Sequence, residues 1–333
     1  MRKFIVALIL FLGVYFFIIR LAEVQKIVNT LQKGRWDFLL LSVFAVGFWL
    51  VNIAFCFQVI YKAIGIDEKV VNLIPMAAAG FFLNVVAPTA GMSGMAIFFA
   101  EARRRNYSSG RAAVGGALYV LFDYIAFLFV LTLGFIVLIR RNDLNIGEIF
   151  AAVILIAIAM LISFLIYLGI HSADQLGQLL AWASKLINRI LRPFLHREYL
   201  SEQRAIKFAE EAAGGLRELL MEPKKLTFPL VYALSKQGIS ILILWLSFLA
   251  FEIPVSPGTV IAGYSISYLI LIVSPTPSGV GFVESTLPFL LKSMYVPLEA
   301  AAVITLTYRT FTFWLPLLIG MIAFRWLGGQ KSI

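Results

Sequence analysis

The sequence predicts an all-α polytopic membrane protein: six plain transmembrane spans and two re-entrant, broken helical hairpins arranged as an inverted repeat. Three observations carry this. The 333 residues are 61% hydrophobic and only 14% charged, whereas soluble domains carry about a quarter charged residues. Apolar runs long enough to cross roughly 30 Å of hydrocarbon recur along the chain. Two of the apolar regions are interrupted midway by turn-forming residues, VVAPTAGMSG at 85–94 and IVSPTPSGVG at 272–281.

The plain spans are expected at about 4–20, 36–61, 111–139, 146–170, 227–251 and 298–325. The first is read as an uncleaved span, because no small-residue cleavage site follows it and Glu23 and Lys26 come next. The interrupted regions, 70–103 and 258–295, are read as hairpins that enter the membrane and return. Between the fifth and sixth plain spans, Leu176, Leu179, Leu180, Ala183, Leu186, Ile187 and Ile190 recur at helical spacing among basic residues. This predicts an amphipathic helix, suited either to an anionic membrane face or to packing on the rest of the protein. A second helix is expected from Glu202 to Leu220, ending before Pro223. The chain then divides into four segments. Residues 1–35 are an N-terminal span and loop, and 36–139 a first repeat of span, hairpin and span. Residues 140–226 are a span with a basic cytoplasmic segment, and 227–333 a second repeat with the C-terminus.

The net charge of +10 would suggest nucleic acid in a soluble protein. Here the basic residues cluster at 103–111 and across 172–226, which fits the cytoplasmic side of an inner membrane and its anionic lipids. With both termini cytoplasmic, the Lys and Arg left outside are Arg20, Lys26, Lys33, Arg35, Arg140, Arg141 and Lys292. Four of these lie in the 20–35 loop, which fits the rule poorly. The single cysteine, Cys56, excludes an internal disulfide or a thiolate metal cluster.

An offset of 187 residues aligns the breaks without a gap, matching Val86 with Val273, Pro88 with Pro275, Thr89 with Thr276 and Gly94 with Gly281. Three crossings separate the first spans of the two units, so the units are expected to have opposite orientations. Inverted repeats with broken helices point to a transport site at the bilayer midplane. Unpaired backbone in hydrocarbon costs several kcal/mol per group, and a polar cavity between the two breaks would justify it. Its expected lining is Thr89, Ser93, Thr276 and Ser278, with backbone at Gly91, Gly94, Gly279 and Gly281. The alternative is that these glycines only allow close helix packing. Asp123, Lys236, Glu284 and Arg309 fall at membrane depth, where a lone charge is costly. Glu284 either caps the limb after the second break or pairs with Arg309. Arg309 is too deep to snorkel, Asp123 is deep enough to need a partner, and Lys236 is near enough to its span's start to reach the interface. Asn84 is either part of the site or a helix-end cap.

SPTPSGVGFVESTLPFLL followed by YRTFTFWLPLLIG resembles the flippase-like membrane domain family of lysylphosphatidylglycerol synthases, here as a stand-alone, UPF0104-type member. The positions carrying the resemblance are Pro275, Pro277, Gly279, Gly281, Glu284, Tyr308 and Arg309, with Ser278 where that family often has glycine. Asn84, Pro88 and Gly91 resemble its earlier Asn and Pro-Gly segment, although the Arg or Gly-Glu often found there is missing. The resemblance implies a protein that moves polar lipids between leaflets, with no chemistry, cofactor or metal of its own and with anionic or zwitterionic phospholipid as partner. The soluble aminoacyl-transfer domain of the synthases is expected to be absent, since the sequence stops at Ile333.

Other functions are weighed on chemistry. GMSG at 91–94 matches an intramembrane serine protease pattern, but a serine nucleophile needs a base within hydrogen-bond reach. The two histidines, His171 and His196, are expected far from Ser93. No Gly-x-x-x-x-Gly-Lys-Ser/Thr loop occurs. A secondary transporter of a small solute or ion is the main rival, and a non-catalytic scaffold of a lipid-synthesis complex is the other.

Overall fold

The computed structural model describes residues 27–86, 92–105, 107–195, 201–221 and 226–329, and regular structure among them is helical. In chain order the helices are α1 (Trp36–Ala63), α2 (Val70–Val86), α3 (Met92–Arg104), α4 (Ser109–Arg140), α5 (Ile146–His171), α6 (Ala173–Leu195), α7 (Glu202–Met221), α8 (Thr227–Ala250), α9 (Pro257–Val273), α10 (Phe282–Ser293), α11 (Leu298–Arg309) and α12 (Leu315–Gly329). Five helical stretches are long and apolar enough to cross a membrane: α1, α4, α5, α8 and the continuous rod from Leu298 to Gly328. They coincide with five of the six expected plain spans, and the sixth, at 4–20, lies outside the described residues.

The rod from Leu298 is not a plain span. Between α11 and α12 the residues Thr310–Trp314 form a π-helical turn. Pro316 supplies the cause: it has no N–H for the carbonyl of Thr312, and its ring crowds that carbonyl, so the turn must widen. Helix starts follow capping chemistry. Ser256 accepts the amide of Thr259 at 3.2 Å, and Pro257 follows at the first helical position of α9, where it loses no bond. Asn145 and Glu148 form the start of α5, with the Asn145 N–H donating to Glu148 at 3.2 Å.

α1 and α8 pack along one another in antiparallel fashion. The Arg35 N–H donates to the Ala250 carbonyl at 2.8 Å near one end, and the Cys56 Sγ donates to the Pro229 carbonyl at 3.8 Å near the other. α2 lies against α12 and α9 against α4, through close approaches at glycine: a Cβ on Gly320 would collide with the Ala78 carbonyl, and one on Gly134 would come within 2.5 Å of the Ser265 hydroxyl. α2 and α3 contact each other, and Arg105 just past α3 returns to Glu68 just before α2, at 2.8 Å. The far ends of the α2–α3 pair therefore lie together. α9 and α10 also contact each other. α5 turns Phe150, Met160, Leu161 and Phe164 outward, as a helix facing hydrocarbon does.

α6 and α7 form a hairpin, and α7 covers one end of the bundle. The Glu211 carboxylate accepts the Gly110 N–H at 3.0 Å and the Ser108 hydroxyl at 2.8 Å, capping α4 from another helix. Partial burial pushes the Glu211 carboxyl up, but these two donors together with the charge of Lys207 hold it below its ordinary value. The cap therefore stabilises the docked helix above the ordinary carboxylate range and weakens as pH falls through the lowered value. Arg111 adds an ion pair with Glu218 at 2.6 Å. A Cβ on Gly110 would sit 2.5 Å from the Glu211 Cβ and 2.6 Å from the Phe208 carbonyl, so the backbones meet only because this residue is glycine. Gly110→Ala is expected to lower stability by about 1–3 kcal/mol, read as an earlier thermal transition in detergent. Gly47→Ala, with nothing within 4 Å of the added atom, is expected to be neutral or stabilising by up to about 1 kcal/mol.

Candidate functional site

The segment between α9 and α10 breaks the helix under tight constraint. Ser278 has φ 51°, Gly279 φ 68° and Gly281 φ 85°, so three residues of four are left-handed and one carries a side chain. Gly279 is required twice over, because a Cβ there would also lie 2.9 Å from the Leu271 Cα. The backbone groups released by the break find partners nearby. The Thr276 hydroxyl donates to the Val280 carbonyl at 2.8 Å, and the Ser274 hydroxyl accepts the Thr276 N–H at 3.1 Å. The Gly281 N–H donates to Glu284 Oε2 at 2.8 Å, and Arg309 Nη2 donates to the Ser278 carbonyl at 3.1 Å.

Arg309 is 1% exposed, the bulkiest of the fully buried side chains. Its Nε donates to Glu284 Oε1 at 2.6 Å, and its guanidinium lies 4.6 Å from the centre of the Phe313 ring. The π turn that follows Arg309 carries Phe313. Glu284 thus does both things that the sequence left open, capping α10 with one oxygen and pairing with Arg309 through the other.

The first break is held by Asn84, whose Oδ1 accepts the Gly94 N–H at 2.6 Å and ties the end of α2 to the start of α3. Gly94 admits no Cβ, which would sit 2.7 Å from the Gly80 carbonyl. Pro88, Thr89 and Gly91 lie outside the described residues, and Ser93 falls in the first turn of α3.

A second ion pair joins α4, α8 and α9. Lys236 Nζ donates to Asp123 Oδ1 at 2.7 Å and to the Tyr268 hydroxyl at 3.0 Å. Asp123 also accepts from Gln237 at 2.9 Å and from Tyr268 at 2.7 Å, and the Tyr264 hydroxyl donates to Gln237. The Lys236 ammonium sits 5.3 Å and 5.8 Å from the ring centres of Tyr268 and Tyr119. Lys236 therefore does not reach the interface, as its place in the span allowed. It is 6% exposed, because a carboxylate across the helix contact pairs with it inside.

These groups surround one cavity of about 410 Å³. Of the residues expected at the site, Asn84, Gly94, Asp123, Lys236, Thr276, Ser278, Tyr308 and Arg309 line it. Gly279, Gly281 and Glu284 form the turn and the ion pair behind that lining. Sequence reading missed Trp49, Tyr119, Ser240, Tyr264, Ser267 and Tyr268, all of which line the cavity. The signal for part of this set was present: Tyr264 and Tyr268 are four residues apart, on one helix face, directly upstream of the second break. The lining also includes apolar side chains, among them Val46, Ile53, Phe57, Ala77, Phe81, Met95 and Phe98. No trio of metal-ligating side chains stands together among the described residues.

Removing one partner of a buried pair leaves a bare charge. Lys236→Met is expected to lower stability by about 3–5 kcal/mol, measured by thermal unfolding in detergent. Lys236→Met combined with Asp123→Asn should cost clearly less than the sum of the single changes.

The model of the family described as "Lysylphosphatidylglycerol synthase TM region" matches residues 4–320. A UPF0104 membrane protein of Methanothermobacter thermautotrophicus is 22% identical over 316 residues, covering 92% of this chain and 90% of its own length. A UPF0104 membrane protein of Pyrococcus horikoshii is 23% identical over 341 residues, covering 97% and 96%.

Proposed function

This chain belongs to the lysylphosphatidylglycerol synthase TM region family, and on that premise we propose that it moves polar lipids between leaflets through the cavity between its two hairpins. The observation that carries the reading is the mixed lining. One cavity holds Asp123, Lys236, Arg309 and the hydroxyls of the second break together with a wall of aromatic and aliphatic side chains. A site for a small polar solute has little use for such a wall, whereas a lipid needs both surfaces at once.

Pairs of cavity positions 187 residues apart support an inverted repeat: Ala77 with Tyr264, Gly80 with Ser267, Phe81 with Tyr268, Trp49 with Lys236 and Ile53 with Ser240. The helix contacts exchange in the same way. α2 against α12 corresponds to α9 against α4, and α1 against α8 maps onto itself with its members antiparallel. Ala78 and Ser265, each facing a glycine across those contacts, are also 187 apart. The α2–α3 hairpin then enters the membrane from the end covered by α7, and the α9–α10 hairpin from the other. The positively charged end, with Arg103, Arg104, Arg105 and Arg111, faces the cytoplasm of the inner membrane.

In this mechanism the chain performs no covalent chemistry. The phosphate of an anionic or zwitterionic lipid takes the place of Glu284 Oε1 on Arg309. Glu284, whose side chain is 28% exposed, swings aside while its other oxygen still caps α10. The acyl chains lie along the Trp49 and Phe81 wall. A charged hydrogen bond contributes about 1.5–3 kcal/mol, so Arg309→Ala should slow lipid exchange about tenfold or more. The assay is dithionite quenching of a fluorescent phospholipid in proteoliposomes, and Glu284→Gln should also change the rate. Wild-type rates equal to those of empty liposomes would remove the activity, and unchanged rates in both variants would remove these residues from it.

A further inference from the structure

We propose that α6 is a docking element for the anionic surface of the leaflet next to it, separate from the cavity and from lipid movement through it. One face of α6 is already occupied: Leu176, Gly177, Ala181 and Ser184 are buried, and α6 packs on α7 and α5. Around the rest of the helix Trp182 is 61% exposed, and Leu186 and Ile187 are each 40% exposed. These three lie within a turn and a half of one another and stay exposed among the described residues.

What covers them follows from where the helix starts. α5 faces outward along its whole length, with Tyr167 still 57% exposed in its last turn. A single residue, Ser172, separates the end of α5 at His171 from the start of α6 at Ala173. α6 therefore begins where the spanning helix ends, at the height where that helix reaches the membrane surface.

Charge selects an anionic surface. Lys185 and Arg189 flank Leu186 and Ile187 in sequence and are exposed, and Lys185 is held by one ion pair with Glu202 at 3.1 Å. On α7 the acids Glu211 and Glu218 turn inward, onto Ser108, Gly110 and Arg111, while Arg204, Lys207 and Arg217 stay exposed. Exposed Asp174, Glu202 and Glu210 offset these bases only in part. Two acids of this hairpin thus turn toward the protein, and its exposed bases outnumber its exposed acids. An aromatic and two aliphatic side chains between bases form the usual interfacial pattern, in which apolar burial and attraction to anionic head groups act together.

The test uses the full chain with Cys56→Ala and Leu186→Cys, labelled with an environment-sensitive fluorophore. It is reconstituted in phosphatidylcholine vesicles with and without phosphatidylglycerol. The expected result is blue-shifted emission and weaker acrylamide quenching when phosphatidylglycerol is present. Both changes should be lost in Lys185→Gln/Arg189→Gln and reduced at high salt. Emission that is water-like in both lipid mixtures would overturn the proposal. So would shielding that follows protein density in the vesicle and ignores lipid charge, which would mark a contact between copies. Neither result depends on whether the chain moves lipid.

Discussion

A helix interrupted inside hydrocarbon must find new partners for the backbone groups it releases, and the second break finds them through one buried arginine. Arg309 holds the Ser278 carbonyl and pairs with Glu284, and Glu284 in turn caps Gly281. Without that chain of contacts, a left-handed serine between left-handed glycines would have neither the geometry nor the bonds to persist. Strain of this kind, kept in the middle of a protein, has a purpose when it exposes polar groups to a cavity. Here Ser274, Thr276, Ser278 and Arg309 all do so.

The two ion pairs around the cavity are unlike in a way that matters for the proposed function. Asp123 and Lys236 are bonded to each other and to Tyr268, and Asp123 also to Gln237, so that pair fixes α4, α8 and α9 relative to one another. Arg309 and Glu284 form a looser unit, since the carboxylate is partly exposed and has a second role to return to. The first pair is suited to shaping the wall and the second to exchanging partners with a head group.

Much of this was legible in the sequence, for identifiable reasons. Long apolar runs fix spans because hydrocarbon tolerates little else, and five of them stand as helices where expected. α7, expected from Glu202 to Leu220 with Pro223 as its stop, runs from Glu202 to Met221. The ionisable residues at depth stood out because each needs a partner; Glu284 with Arg309 was among the readings, but Asp123 was not matched to Lys236, 113 positions away. The tyrosines of α9 were missed because aromatic residues are ordinary in apolar helices and only the fold turns them inward. The π turn was missed because a proline in a membrane helix is read as a kink, and which register it opens depends on the neighbours.

The account's central claim is that a lipid head group sits between the two hairpins with its chains leaving toward the bilayer. A cryo-electron microscopy map of the protein in native-lipid nanodiscs tests it most directly. The account predicts head-group density within hydrogen-bonding distance of Arg309 and the Ser274–Ser278 turn, with tail density along Trp49 and Phe81. A cavity filled by side chains, or sealed from the bilayer on every side, would contradict it.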